Sequence, residues 1–135
     1  DKFCVDRHRD SFSELIKNNV NILFANEDEI NAMFQVSDIR DSIDRLKQMK
    51  IISAITRAHK GSVIVYEGKE ITINVVPVKK VIDTTGAGDL YAAGFLYGIA
   101  KNKSIEESAR YASIAASEII SHFGTRTKKR LSSLI

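Results

Sequence analysis

The sequence predicts an α/β fold with a mostly parallel sheet flanked by helices, and three observations support this. Two short, nearly continuous apolar runs, VNILFA at residues 20–25 and IISAIT at 51–56, read as strands buried on both faces. Segments with apolar residues at helical spacing follow or separate them. Strands alternating with helices in this way form layered, mostly parallel sheets.

The elements follow in order. Residues 5–10 are polar and lead into a helix. Ser11 with Glu14 has capping-box spacing, in which each side chain satisfies a backbone donor at a helix start. Phe12, Leu15 and Ile16 then fall on one helical face. After the strand at 20–25, residues 27–34 read as a short helix. Ser37 is placed to cap the next helix, whose apolar face is Ile39, Ile43 and Leu46. Residues 62–67 and 71–76 are β-rich runs joined by Gly68-Lys69-Glu70, a hairpin loop, and Pro77 ends the second because proline cannot donate to a ladder. A small and apolar segment reaching Ala100 reads as a buried helix. Ser104 and Glu107 form a second capping box, opening an alanine-rich helix to about residue 121 with Ile105, Ala109, Ala112 and Ala116 on one face.

Composition excludes several classes of function. With 135 residues, 44% hydrophobic and 27% charged, the chain has the balance of one globular domain and not of a disordered segment. A single cysteine, Cys4, rules out an internal disulfide framework and a CxxC redox pair, and fits a reducing, cytoplasmic setting. The longest apolar run, residues 90–100, is well short of the ~18 residues of a membrane-spanning helix, and the charged start DKFCVDRHRD lacks the apolar core of a secretory signal. The net charge of +3 is concentrated in Arg126, Lys128, Lys129 and Arg130, a basic tail over residues 125–135, so the body is near neutral and no nucleic-acid partner is expected.

Some motif matches fail on inspection. His8-Arg9-Asp10 spells a protein-kinase catalytic triplet, but the required asparagine is Leu15. Gly86-x-Gly88 starts a dinucleotide fingerprint whose third glycine is replaced by Tyr91. His8, His59 and His122 have no metal-ligand spacing and read as surface or packing residues. No GxSxG elbow supports an oxyanion-hole hydrolase.

One segment carries chemistry: VIDTTGAGDLYAAGF at residues 81–95. Gly86-Ala87-Gly88 is a small-residue turn opening a helix, where unpaired amides and the positive end of the helix dipole favour an anion. Asp89 makes no sense as an anion ligand, but does as a base taking a proton from a hydroxyl that attacks a bound phosphoryl group. The alternative is that the glycines only shape a turn and Asp89 caps the helix.

DTTGAGD followed by LYAAGF resembles the second signature of the ribokinase-like (PfkB) family of carbohydrate and nucleoside kinases. Two further family motifs lie upstream in the expected order: Asn26-Glu27-Asp28-Glu29 resembles N-x-x-E, and residues 56–61, TRAHKG, resemble T-x-G-x-x-G with Ala58 in place of a glycine. The resemblance implies a three-layer ribokinase-like fold in which Asp89 is the base and Gly86, Ala87 and Gly88 form the anion hole. It implies that Asn26 and Glu29 hold Mg2+ through water, against the simpler reading of a helix-start asparagine and an exposed glutamate. Thr56 and Gly61 would touch ATP, and Ser113 would lie beside its adenine, with packing as the alternative. Asp83 and Gly124 would form a monovalent-cation loop for an ion such as K+, with a turn aspartate as the alternative. Residues 1–10 are similar to adenosine-kinase-like bacterial members, implying a nucleoside acceptor, although sugars are also family substrates. Members of the family are considerably longer, so residues 1–135 are expected to be the C-terminal part of a kinase domain. Such a part should be inactive alone and prone to self-association through its cut sheet edge. The competing reading is a non-catalytic nucleotide-binding remnant.

Overall fold

The computed structural model describes residues 1–134; Ile135, the last residue of the basic tail, lies outside the described residues. The chain divides into two compact units, residues 1–57 with 63–72, and residues 58–62 with 73 onward.

The first unit is a sheet with its helices. Helices α1 (Lys2–Arg7) and α2 (Arg9–Asn18) precede β1 (Ile22–Asn26), α3 (Glu27–Phe34), α4 (Ile39–Leu46) and β2 (Ile52–Thr56). Strands β3 (Ser62–Tyr66) and β4 (Lys69–Ile73) complete a four-stranded sheet in the order β1-β2-β3-β4. β1 and β2 pair in parallel, with Asn26 opposite Thr56. The connections from β2 to β3 and from β3 to β4 are too short for a parallel crossover, which needs about a dozen residues, so the sheet is mixed. Its core joins Ile16 of α2, Ile30 and Met33 of α3, and Ile39, Ile43 and Leu46 of α4 to Ile55, Val63 and Val65 of the sheet.

Local chemistry explains where several boundaries differ from expectation. The lead-in at 5–10 is helical because Asp1 caps α1, its Oδ1 accepting from the Cys4 amide at 2.9 Å. Ser11 therefore lies inside α2, whose N-cap is His8, and no Ser11–Glu14 box forms. Asp38, not Ser37, caps α4. The hairpin turns on two residues, Glu67 and Gly68, both with positive φ (49° and 73°), as a type I′ turn requires. β4 therefore starts at Lys69, inside the expected loop.

The second unit is built on α5 (Ala87–Ala100) and α6 (Ile105–Ile119). Residues 101–104 join them, and the expected Ser104–Glu107 box closes the start of α6. The two helices approach so closely that a Cβ on Gly94 would sit 2.7 Å from Tyr111 O, and one on Gly98 2.5 Å from Ser108 Oγ. Phe95, Ala109, Ala112 and Ile119 are fully buried. Among the described residues no helix is long and apolar enough to cross a membrane.

Candidate functional site

The glycine turn begins where Asp83 gathers its neighbours. Its Oδ1 accepts from the Thr85 amide at 2.9 Å and its Oδ2 from the Gly124 amide at 3.3 Å. Bonds from the Thr85 hydroxyl, then the Thr85 and Gly124 amides, hold its carboxyl below the usual range. Asp83 thus bonds its own turn, as a turn aspartate does, and also accepts from Gly124, 41 residues away.

Gly86 is the N-cap of α5 at φ 80°, in the left-handed region where a side chain is strained. Thr125 packs beside it: a Cβ on Gly86 would lie 3.4 Å from Thr125 Cβ. The Ala87 amide turns back to Thr84 O at 3.1 Å. The Gly88 and Asp89 amides fall in the first helical turn, which has no intrahelical acceptors for them.

Gly88 differs from the other glycines. It is helical, has no positive φ, and a Cβ built on it meets nothing within 4 Å. Glycine is unfavourable in a helix, by about 1 kcal/mol relative to alanine. No contact in the described chain accounts for it.

Four helices carry an acid at the third position; Glu29 of α3 and Glu107 of α6 fold back onto the cap, and Asp41 of α4 does not. Glu29 Oε2 accepts from the Asn26 amide at 2.8 Å, and Glu107 Oε2 from the Ser104 amide at 3.2 Å. Asp89 holds the same position in α5, yet is exposed and makes no such bond. It does not cap the helix. Tyr91, two residues on, is buried, and its hydroxyl donates to Ser62 Oγ at 2.7 Å; burial pushes its pKa up to about 12.

In the first unit, Asn26 and Thr56 lie side by side at the carboxyl ends of the parallel strands, where open α/β sheets bind ligands. Asn26 Oδ1 accepts from the Glu29 amide at 2.9 Å, so the pair forms a complete capping box: Asn26 is the helix-start asparagine of the simpler reading, but Glu29 is half-buried and folded back, not exposed. The other Glu29 oxygen lies 3.4 Å from the Asp1 amino nitrogen. Among the described residues, no group of three or more His, Cys, Asp or Glu converges as a metal cage. Glu27 Oε2 accepts from Arg57 Nε at 2.9 Å, linking the start of α3 to the loop after β2.

In the second unit, Ala58 has φ 50° and Gly61 φ 80°. The methyl of Ala58 is thus carried by a backbone shaped for glycine. A Cβ on Gly61 would be 2.1 Å from Ile73 O. Ser113 is buried in α6 at 8% exposure. The structure also brings in residues that motif reading passed over: Thr125 against Gly86, and a buried Glu118–His122 pair below the loop bearing Gly124. The i,i+4 spacing of that pair was its only signal in the sequence.

The pfkB family carbohydrate kinase model matches residues 3–131. An uncharacterized sugar kinase of Archaeoglobus fulgidus is 40% identical over 114 residues, 84% of this chain and 45% of that protein. The crystal structure of adenosine kinase from Sinorhizobium meliloti superposes with a TM-score of 0.94 at 37% identity, covering 98% of this chain and 41% of that one. Arabidopsis thaliana ribokinase complexed with ribose and ATP gives a TM-score of 0.78 at 28% identity, covering 90% and 42%. The chain spans less than half the length of these relatives.

Proposed function

The chain belongs to the pfkB family of carbohydrate kinases, and from that premise we infer that it carries the phosphoryl-transfer end of an ATP-dependent kinase acting on a nucleoside, adenosine-like, or a sugar. The observation that carries this reading is Gly88, a helical glycine with open space where its side chain would be, beside first-turn amides. Residues 1–135 form the C-terminal portion of the kinase domain in this reading, and the protein works in the cytoplasm.

The chemistry follows from the residues. The Gly86 and Gly88 amides, with the Ala87 amide once it releases Thr84 O, stabilise charge developing on the transferred phosphoryl group. Asp89, uncommitted to capping, accepts the proton of the acceptor hydroxyl as its oxygen bonds to the γ-phosphorus and the bond to the ADP oxygen breaks. Thr56 and Gly61 line the nucleotide, with Ser113 packed behind its adenine. Asn26 and Glu29 are occupied by their capping box, and the second Glu29 oxygen faces the Asp1 nitrogen, so these two residues would hold Mg2+ through its waters and not directly. The ion, when bound, neutralises phosphate charge. Asp83 supplies the negative charge, and the loop at Gly124 the backbone, for a monovalent cation such as K+.

The isolated chain is expected to be inactive, because catalysis needs both reactants held in line and less than half of the relatives' length is present. Exposed Phe3, Val81, Leu96 and Phe123, with β1 at the sheet edge, favour self-association. The test is transfer of the γ-phosphoryl group from ATP to adenosine or ribose by the full-length protein. Asp89→Asn should abolish turnover while sparing ATP affinity; an Asp89→Asn protein that still turns over refutes the assignment. Ala58 at φ 50° favours a second reading, a nucleotide-binding remnant without catalysis. Calorimetric binding of Mg-ATP without turnover by the full-length protein would select it.

A further inference from the structure

Glu118 lies at the end of α6, its side chain only 9% exposed, and Oε1 serves two partners at once. His122 Nε2 is 3.2 Å from it, and the Lys128 amide donates to it at 3.0 Å. His122 Nδ1 lies 3.1 Å from Phe123 O, so each ring nitrogen faces an oxygen acceptor. The second carboxylate oxygen, Oε2, is buried without a partner. Leaving a buried carboxylate oxygen unsatisfied is costly, so core packing alone does not account for an acid here. What the acid achieves is visible in the chain it spans: one oxygen clamps residues 122 and 128, fixing both ends of the loop between them. That loop carries the Gly124 amide to Asp83 and Thr125 to the face of Gly86.

We propose that Glu118 is a positioning residue for phosphoryl transfer, holding the 122–128 loop so that Gly124 and Thr125 fix the Asp83–Gly88 turn. It touches no reacting atom and acts through the loop. The proposal rests on the kinase reading above for its catalytic consequence, but not for the anchor itself.

The test uses the full-length protein with Glu118→Ala, Glu118→Gln and Lys128→Pro, the last removing the amide donor at an exposed residue. Amide exchange at Gly124 and Lys128 and steady-state kinetics with ATP and adenosine or ribose are read together. Glu118→Ala should speed exchange at Gly124 at least tenfold and lower kcat at least tenfold, leaving the acceptor KM within twofold. Glu118→Gln keeps one acceptor oxygen and should recover kcat to within threefold of the parent. If Glu118→Ala fails to fold, Lys128→Pro should still speed Gly124 exchange and lower kcat. Unchanged exchange at Gly124, unchanged kcat, or a Glu118→Gln protein as impaired as Glu118→Ala overturns the proposal. If the parent transfers no phosphoryl group, the kinase reading fails separately, and exchange alone then decides the anchor: tenfold acceleration upholds it and unchanged protection overturns it.

Discussion

Replacing Gly88 by alanine separates a glycine kept for the fold from one kept for a ligand. A Cβ at 88 meets no atom within 4 Å and the backbone is already helical, so the substitution introduces no clash. Helix propensity alone should then stabilise the chain, by about 0.5 to 1 kcal/mol. Gly94→Ala in the same helix is the contrast. Its Cβ would lie 2.7 Å from Tyr111 O and 2.8 Å from Ala112 Cα, distances that force α5 and α6 apart. Overpacking of that kind costs about 1 to 3 kcal/mol, more than the propensity gained. Urea denaturation should therefore move the two midpoints in opposite directions. In the proposed reading the space a methyl at 88 would fill belongs to the phosphoryl group, so turnover should fall in Gly88→Ala nonetheless. Alanine keeps the amide, but a donor the phosphoryl group can no longer reach is lost in effect, which costs about a hundredfold in kcat. A Gly88→Ala protein less stable than the parent, or one with turnover within threefold of it, refutes the reasoning.

Other substitutions test other links. Ala58→Gly relieves a left-handed conformation that costs about 1 kcal/mol, partly offset by the added freedom of the unfolded chain. A net gain of about 0.5 kcal/mol in chemical denaturation is expected, with tighter ATP binding; a loss would show that φ 50° is unstrained. Asn26→Ala should lose about 1 kcal/mol as a helix cap, whereas Asn26→Asp should keep the cap, so a changed Mg2+ requirement in the aspartate variant would isolate the metal role. Glu70, bonded to Arg40 at 2.9 Å and to Lys47 at 2.7 Å, has its carboxyl held down at about 2 against an ordinary 4.5. Its stabilisation is therefore complete above pH 4.5 and is lost as pH falls toward 2. Solvent screening at this partly exposed site limits the effect to about 1 kcal/mol. Glu70→Gln should flatten that part of the acid-denaturation profile, and an unchanged slope would show the pairing to be inconsequential.

Local signals carried the fold well where one segment determines its own structure. The runs at β1 and β2 were legible because burial on both faces leaves them almost wholly apolar, and the box at Ser104 because a cap needs only four residues; the box at Asn26 was hidden because Asn is not the Ser or Thr that marks one. The Ser11–Glu14 pattern misled because Asp1 starts a helix earlier in the chain. The hairpin was misplaced because Glu67 adopts a positive φ without the Asn-Gly or Asp-Gly pair that marks such turns. In the site, GAGD advertised itself through small residues and an acid in one turn. Asp83 with Gly124, Thr125 with Gly86, and the Glu118 clamp on Lys128 depend on how α6 returns toward the start of α5, which no short motif encodes.

That return has an electrical side. A four-residue connection between closely packed helices makes α5 and α6 antiparallel. Their dipoles therefore oppose, and the positive start of α5 lies beside the negative end of α6, joined where the Ile82 amide donates to Ile120 O at 2.8 Å. The turn is thus a junction with two signs, a partial positive charge at the glycine amides and a partial negative one at the end of α6. The close approach at Gly94 and Gly98 is what keeps the two helices packed side by side, so those glycines hold the opposite helix ends together as well as closing the interface.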